Sequence, residues 1–171
     1  MEERRAIERL KRGDAGGLEV LVRRHQVRAV RTAYLIVRER TLAEDVAQGA
    51  FVKAYDGINR FDETRPFGPW FLKIVVNDAI KAASRREKAV SYGGEGEDLV
   101  ARLADPELGP EDVAEERETR RKVWEALAEL PPAQRAAVVQ RYYLGMSEGE
   151  MAEDGALPRG GVALTMSAAP P

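Results

Sequence analysis

The chain has 171 residues with 27 Lys and Arg against 29 Asp and Glu, a formal net charge of −2 and no cysteine. That length holds one domain or two small ones, and the missing cysteines exclude disulfides, thiolate metal sites and cysteine nucleophiles, which suits a reducing cytoplasm. No apolar run reaches membrane-spanning length and the start MEERRAIERLKRGD lacks the apolar core of a signal peptide, so a cytoplasmic protein with no membrane insertion is expected.

The charge is unevenly spread. Residues 1–90 hold 19 Lys and Arg against 13 Asp and Glu, residues 91–120 hold 3 against 10, and residues 121–171 hold 5 against 6. A basic block followed by an acidic connector suggests a polyanionic partner for the first block, although two solvated faces of opposite sign give the same count.

Helical periodicity dominates, with no sustained alternation, so the fold class expected is all-α. A first helix over residues 4–12 is stopped by Gly13, with Asp14 placed to cap the next. That second helix carries Leu18, Leu21, Val22, His25, Ala29, Ala33, Tyr34 and Val37 on one face and ends near Arg40. A third starts at Thr41, where Thr41 and Glu44 have capping-box spacing, and buries Ala43, Val46, Ala47, Ala50, Phe51, Ala54 and Ile58. Glu44, Asp45 and Gln48 fall on its other face.

A turn over residues 57–66 leads to a fourth helix over 67–88, anchored by Phe67, Trp70, Phe71, Ile74, Ala79 and Ile80. Residues 91–112, rich in Gly, Glu and Asp, are expected to form a flexible acidic linker. A second helical unit over 113–153 follows: Val123, Trp124, Leu127 and Leu130 share one helix, and Pro131-Pro132 starts another through Val138, Val139 and Tyr142. Ser147 and Glu150 have capping-box spacing, with Met151 and Ala152 behind them. Residues 154–171 are expected to be a disordered or aberrant tail.

Enzyme chemistry has little support. His25, the one histidine, lies on an apolar helix face and reads as a core or boundary residue. No phosphate loop, metal-spaced cluster or nucleophile with its base is visible, so no catalytic residue, metal or cofactor is assigned. Glu44 and Asp45 are adjacent, diverge by about 100° around a helix and cannot converge on one atom.

The run LAEDVAQGAFVKAYDGINRF, then DETRPFGPWFLKIVVNDAIKAASRR, carries Ala43, Glu44, Asp45, Gln48, Phe51, Phe61, Phe67, Trp70, Ile74, Asn77, Arg85 and Arg86 in order. It resembles the second conserved region of the extracytoplasmic-function (sigma-70 family, group 4) sigma factors of bacterial RNA polymerase. Residues 130–135 (LPPAQR) and 141–152 (RYYLGMSEGEMA) look like the fourth region, a helix-turn-helix that reads the upstream promoter element. The resemblance implies two small helical domains joined by the linker: residues 1–90 for polymerase and minus-ten binding, and 113–153 as an incomplete helix-turn-helix.

It further implies that Glu44, Asp45 and Gln48 dock on the polymerase core. Asn59, Arg60, Phe61 and Asp62 would capture an unstacked minus-ten base, Phe61 serving as stacking platform or instead as a core plug. Lys73, Asn77, Lys81, Arg85 and Arg86 would line the DNA face, their cations following phosphates. Trp70 reads as core rather than stacking. The partners implied are RNA polymerase core, promoter DNA and an anti-sigma factor, and no bond change is catalysed.

Some positions depart from the family pattern. Gly49 replaces a usual glutamate, and Val76 and Lys81 stand where basic and acidic residues are common. Ser147, Glu150, Met151 and Ala152 begin the helix-turn-helix, yet after Arg159 no Lys or Arg follows, where the family has a cation-rich recognition helix. The tail therefore reads as truncated or frameshifted, with upstream-element recognition impaired. The function expected is a sigma factor directing polymerase by core binding and minus-ten recognition and melting. The alternative is an interaction protein that occupies polymerase core or an anti-sigma factor without initiating.

Overall fold

The structure, a computed structural model, describes residues 1–90 and 110–153. Among them every regular element is helical: α1 (Glu2–Lys11), α2 (Gly16–Val37), α3 (Arg40–Gly57), a 3₁₀ turn (Ile58–Arg60), α4 (Phe67–Val90), α5 (Pro110–Ala128), α6 (Pro132–Val138), a π turn (Val139–Tyr143) and α7 (Glu148–Glu153). The linker expected over 91–112 lies outside the described residues as far as 109. The last three of its positions already belong to α5, which opens on Pro110 followed by Glu111 and Asp112, good residues for a first helical turn.

α2 is the central helix, packed against α1, α3, α4 and α6. Its buried set is accordingly wider than one stripe: Leu21, Ala29, Ala33, Tyr34 and Val37 are buried as expected, and so are Ile36 and Thr32, whose hydroxyl donates to the Arg28 carbonyl at 2.7 Å. α1 lays Ala6, Ile7 and Leu10 on it. The two backbones meet at Gly17, where an added Cβ would stand 2.3 Å from the Ala6 carbonyl oxygen. Between them Asp14 accepts from the Gly16 amide at 2.9 Å and from Arg9 at 2.7 Å, and these bonds hold its carboxyl below the usual range.

α2 stops at Val37 rather than near Arg40, because Arg38 turns into the left-handed region at φ 63. Its last turn has no cation of its own. The carbonyls left without intrahelical partners there are instead capped from elsewhere, Val37 by Arg86 of α4 at 3.2 Å and Ile36 by Arg135 of α6.

The Thr41–Glu44 capping box does not form. Glu39 sits at the N-cap in an extended conformation and its carboxylate accepts from the Thr41 and Leu42 amides at 2.8 and 2.7 Å. The helix thus starts one residue early, Thr41 falls inside the first turn, and Glu44 pairs with Arg40 at 2.9 Å. Burial works against the Glu39 carboxylate, but the two amides win and hold its carboxyl below the usual range. The buried stripe of α3 is the expected one, with Ile58 joining it from the 3₁₀ turn.

α3 and α4 close over α2 through an aromatic cluster. Phe51 stacks on Phe71 at 4.3 Å, and Phe67 lies 5.6 Å from Phe71. Phe67, Phe71 and Ala79 are buried as expected; Trp70, Ile74 and Ile80 are half-buried, and Val75 and Val76 are buried as well. His25 sits at the rim, 5.2 Å from Phe67, with Nε2 2.8 Å from Glu3.

The second unit rests on the first. Ala136 and Val139 belong to the main core, while its own cluster consists of Ala137 and Met151 with Ala133 and Met146 at the edge. Two expected core positions are exposed. Val123 is 53% exposed because Trp124 and Leu127 face inward, and Tyr142 is 72% exposed because the π turn shifts the helical phase so that Val139 and Gln140 point in. The Ser147–Glu150 box forms reciprocally: the Ser147 amide donates to Glu150 at 2.7 Å and the Glu150 amide to the Ser147 hydroxyl at 3.2 Å. The tail 154–171 lies outside the described residues.

Candidate polymerase and nucleic-acid interface

The segment joining α3 to α4 is held from both ends. The Phe61 ring is buried, 4.9 Å from Trp70 and 5.7 Å from Phe67. Lys11 of α1 donates to the Phe61 carbonyl at 2.9 Å and pairs with Glu63 at 2.6 Å. Asp62 accepts from the amide and the hydroxyl of Thr64 at 2.9 and 2.7 Å, bonds that keep its carboxyl below the usual range. Of the four candidates in this turn, Phe61 is buried and Asn59, Arg60 and Asp62 are exposed, the Asp62 carboxylate being engaged by Thr64. Trp70, half-buried, serves the same aromatic cluster.

On α4 the candidates Lys73, Asn77, Lys81 and Arg85 recur every fourth residue and form one ridge about 18 Å long. Lys81 and Arg85 are exposed; Lys73 and Asn77 are half-buried. Arg86 is turned off this ridge, its guanidinium committed to the Val37 carbonyl. Asp45 and Gln48 are exposed on α3 and Glu44 is half-buried, so the ridge and this acidic edge flank one groove, bridged by Lys53 to Asp78 at 2.6 Å.

A cleft of about 540 Å³ opens beside the turn. Arg28, Arg60, Arg65 and Lys73 line it from the first unit, and Gln140, Met146, Glu150 and Glu153 from the second. Sequence reasoning passed over Arg28 and Arg65, which look like ordinary surface cations until the fold gathers them. It missed Lys11 and Arg38 as well, whose roles depend on partners 50 and 86 residues away. Of the helix-turn-helix residues, Met151 is buried, Ala152 half-buried, and Ser147 and Glu150 exposed at the helix start. No cluster able to hold a metal occurs among the described residues, and none of their helices is long and apolar enough to cross a membrane.

The site thus combines an acidic edge on α3, a cationic ridge on α4 and a turn with an exposed amide and guanidinium on an all-helical frame. Sigma-70 region 2 matches residues 21–89, which contain α2 through α4, and sigma-70, region 4 matches residues 120–169, continuing past Glu153 through most of the segment set apart above as a tail. The ECF RNA polymerase sigma-E factor of Haemophilus influenzae is 31% identical over 155 residues, 86% of this chain and 80% of that protein. The RNA polymerase sigma factor CnrH of Cupriavidus metallidurans is 32% identical over 136 residues, covering 77% and 71%, and the ECF RNA polymerase sigma factor SigW of Bacillus subtilis is 27% identical over 165, covering 93% and 88%. A solved structure of CnrH in complex with the cytosolic domain of CnrY shares the fold, with a TM-score of 0.63 at 22% identity over 99% of this chain and 92% of that one.

The chain belongs to the sigma-70 family, and within it to the extracytoplasmic-function sigma factors. It directs RNA polymerase to promoters in transcription initiation, with polymerase core and promoter DNA as its partners.

Proposed function

We propose that this factor works through its first unit, with the α4 ridge and the turn at 59–62 as its DNA face and Glu44, Asp45 and Gln48 as its core-docking edge. The observation that carries the reading is the division of labour in the turn: Phe61 and Asp62 fix the backbone so that Asn59 and Arg60 face outward beside the ridge. An amide and a guanidinium held there can pair with the edge of a base displaced from the duplex, and Lys73, Lys81 and Arg85 follow the phosphates on either side. The protein catalyses no bond change and acts in the cytoplasm, where its polymerase is. An anti-sigma factor is a further partner of this reading.

Reading of the upstream element is weak in this account, because residues 160–171 hold no Lys or Arg to engage phosphates. The test is run-off transcription with purified core on a promoter library. The Glu44→Ala/Asp45→Ala protein is expected to lose core association, and Lys81→Ala/Arg85→Ala to keep core association and lose transcript. Core binding by the wild type with no transcript from any template would instead favour a protein that occupies polymerase without initiating.

A further inference from the structure

The turn between α3 and α4 is closed by bonds that reach only a few residues. The Phe61 amide donates to the Ile58 carbonyl and the Arg65 amide to the Asp62 carbonyl, each at 3.1 Å, and Asp62 accepts from Thr64. Such bonds fix the shape of the turn but not its orientation on the rest of the molecule. The Phe61 ring anchors it at one point, among Phe67 and Trp70, which by itself leaves a swivel. A second point comes from 50 residues earlier: the Lys11 ammonium, in the last turn of α1, lies 2.9 Å from the Phe61 carbonyl oxygen and 2.6 Å from the Glu63 carboxylate. One cation thus spans both sides of Asp62. The Lys11 and Glu63 side chains are only 25% and 31% exposed, so these charge-assisted bonds are stronger than surface contacts. Lys11 also has a firm base, because Ile7 and Leu10 of α1 are buried and the backbones of α1 and α2 meet at Gly17.

We infer that Lys11 is a positioning residue for base capture: it fixes the orientation in which the turn presents Asn59 and Arg60, and it neutralises Glu63 beside the phosphate path. The inference rests on the reading of that turn as part of the DNA face. α1 lies outside residues 21–89, which match sigma-70 region 2, so the role falls to a helix that precedes the matched region. Asn59 and Arg60 stand two residues and one residue before the carbonyl that Lys11 holds. A swing of the turn about Phe61 therefore displaces both side chains, and hydrogen bonding to a base edge tolerates little displacement or tilt. Without Lys11 the Glu63 carboxylate, in the same turn as Arg60 and Arg65, would repel the phosphates that those cations attract.

The test uses the full chain assembled on purified polymerase core, with core alone as background. The probe is a pool of short randomised single-stranded oligonucleotides, whose retained fraction is sequenced. Wild type is expected to enrich particular bases. Lys11→Met, which keeps an unbranched apolar stem, should lower that enrichment at least about fivefold, the low end of what one well-placed polar pair contributes to base discrimination. Its core affinity should stay at the wild-type value, which a general loss of structure would lower as well. Lys11→Arg can still donate to both oxygens and should restore the enrichment. Glu63→Lys, at an exposed position on the turn, repels Lys11 without disturbing the packing of α1 and should give the same loss even if Lys11→Met folds poorly. Its added charge raises retention of all sequences alike and does not mask the effect. Undiminished enrichment in Lys11→Met or in Glu63→Lys, or no recovery in Lys11→Arg, overturns the inference. Asn59→Ala/Arg60→Ala separates it from the reading of the turn: if that protein enriches the same bases as wild type, or if wild type enriches none, the DNA-face reading itself fails.

Discussion

At the scale of single residues, two glycines with the same side chain carry opposite constraints. Gly49 lies inside α3 and an added Cβ there would meet nothing within 4 Å, so packing does not require it. Gly49→Ala is expected to raise unfolding stability by about 1 kcal/mol, the helix-propensity difference, read as a higher denaturant midpoint with unchanged slope. At Gly17 the same methyl would sit 2.3 Å from a backbone oxygen of α1, so Gly17→Ala should lower stability by about 1–3 kcal/mol as the two helices separate. If both variants shift the midpoint in the same direction, the account of the α1–α2 contact is wrong. Phe61 shows how one residue's chemistry leaves two roles open in the sequence: an aromatic beside an amide and a guanidinium suits stacking, and the ring nonetheless packs on Trp70 and Phe67.

At the scale of elements, the decisive features are the ends of helices. The α3 cap gives a pH prediction. The Glu39 carboxyl is held below its unfolded range, so its contribution to stability is fully present above that range and is lost as pH falls through the folded value. Thermal melts of wild type and Glu39→Gln should therefore diverge above about pH 5 and converge towards pH 3, with the wild type losing more on acidification; parallel pH profiles would refute the cap. These ends also mark how far the sequence was legible. The Ser147–Glu150 box was readable because both partners lie within one turn. The Thr41–Glu44 box was misread because Glu39, two residues upstream, takes the Thr41 amide that the box needs, and the Leu42 amide with it, with a charged acceptor. The helices among the described residues, the α3 stripe and the aromatic anchors of α4 followed from local periodicity. The end of α2 was not legible, since its caps come from Arg86 and Arg135, 49 and 99 residues away in sequence.

At the scale of the whole molecule, two family regions behave as a domain and its dependent. The first unit holds the aromatic cluster and the main core, while the second has a core of its own built on Ala137 and Met151 and buries Ala136 and Val139 against its neighbour. Residues 110–171 expressed alone are therefore expected to show little helical dichroism, and residues 1–90 alone to retain a cooperative melt; a cooperative transition in the isolated second unit would contradict this dependence. The acidic edge, the α4 ridge and the turn all sit on the first unit, and the central claim is that this unit opens promoter DNA. Permanganate reactivity of minus-ten thymines in complexes with purified core tests that claim most directly. Wild type should render those thymines reactive, and Asn59→Ala/Arg60→Ala should bind core equally well and leave them protected; equal reactivity in the two proteins would contradict the account.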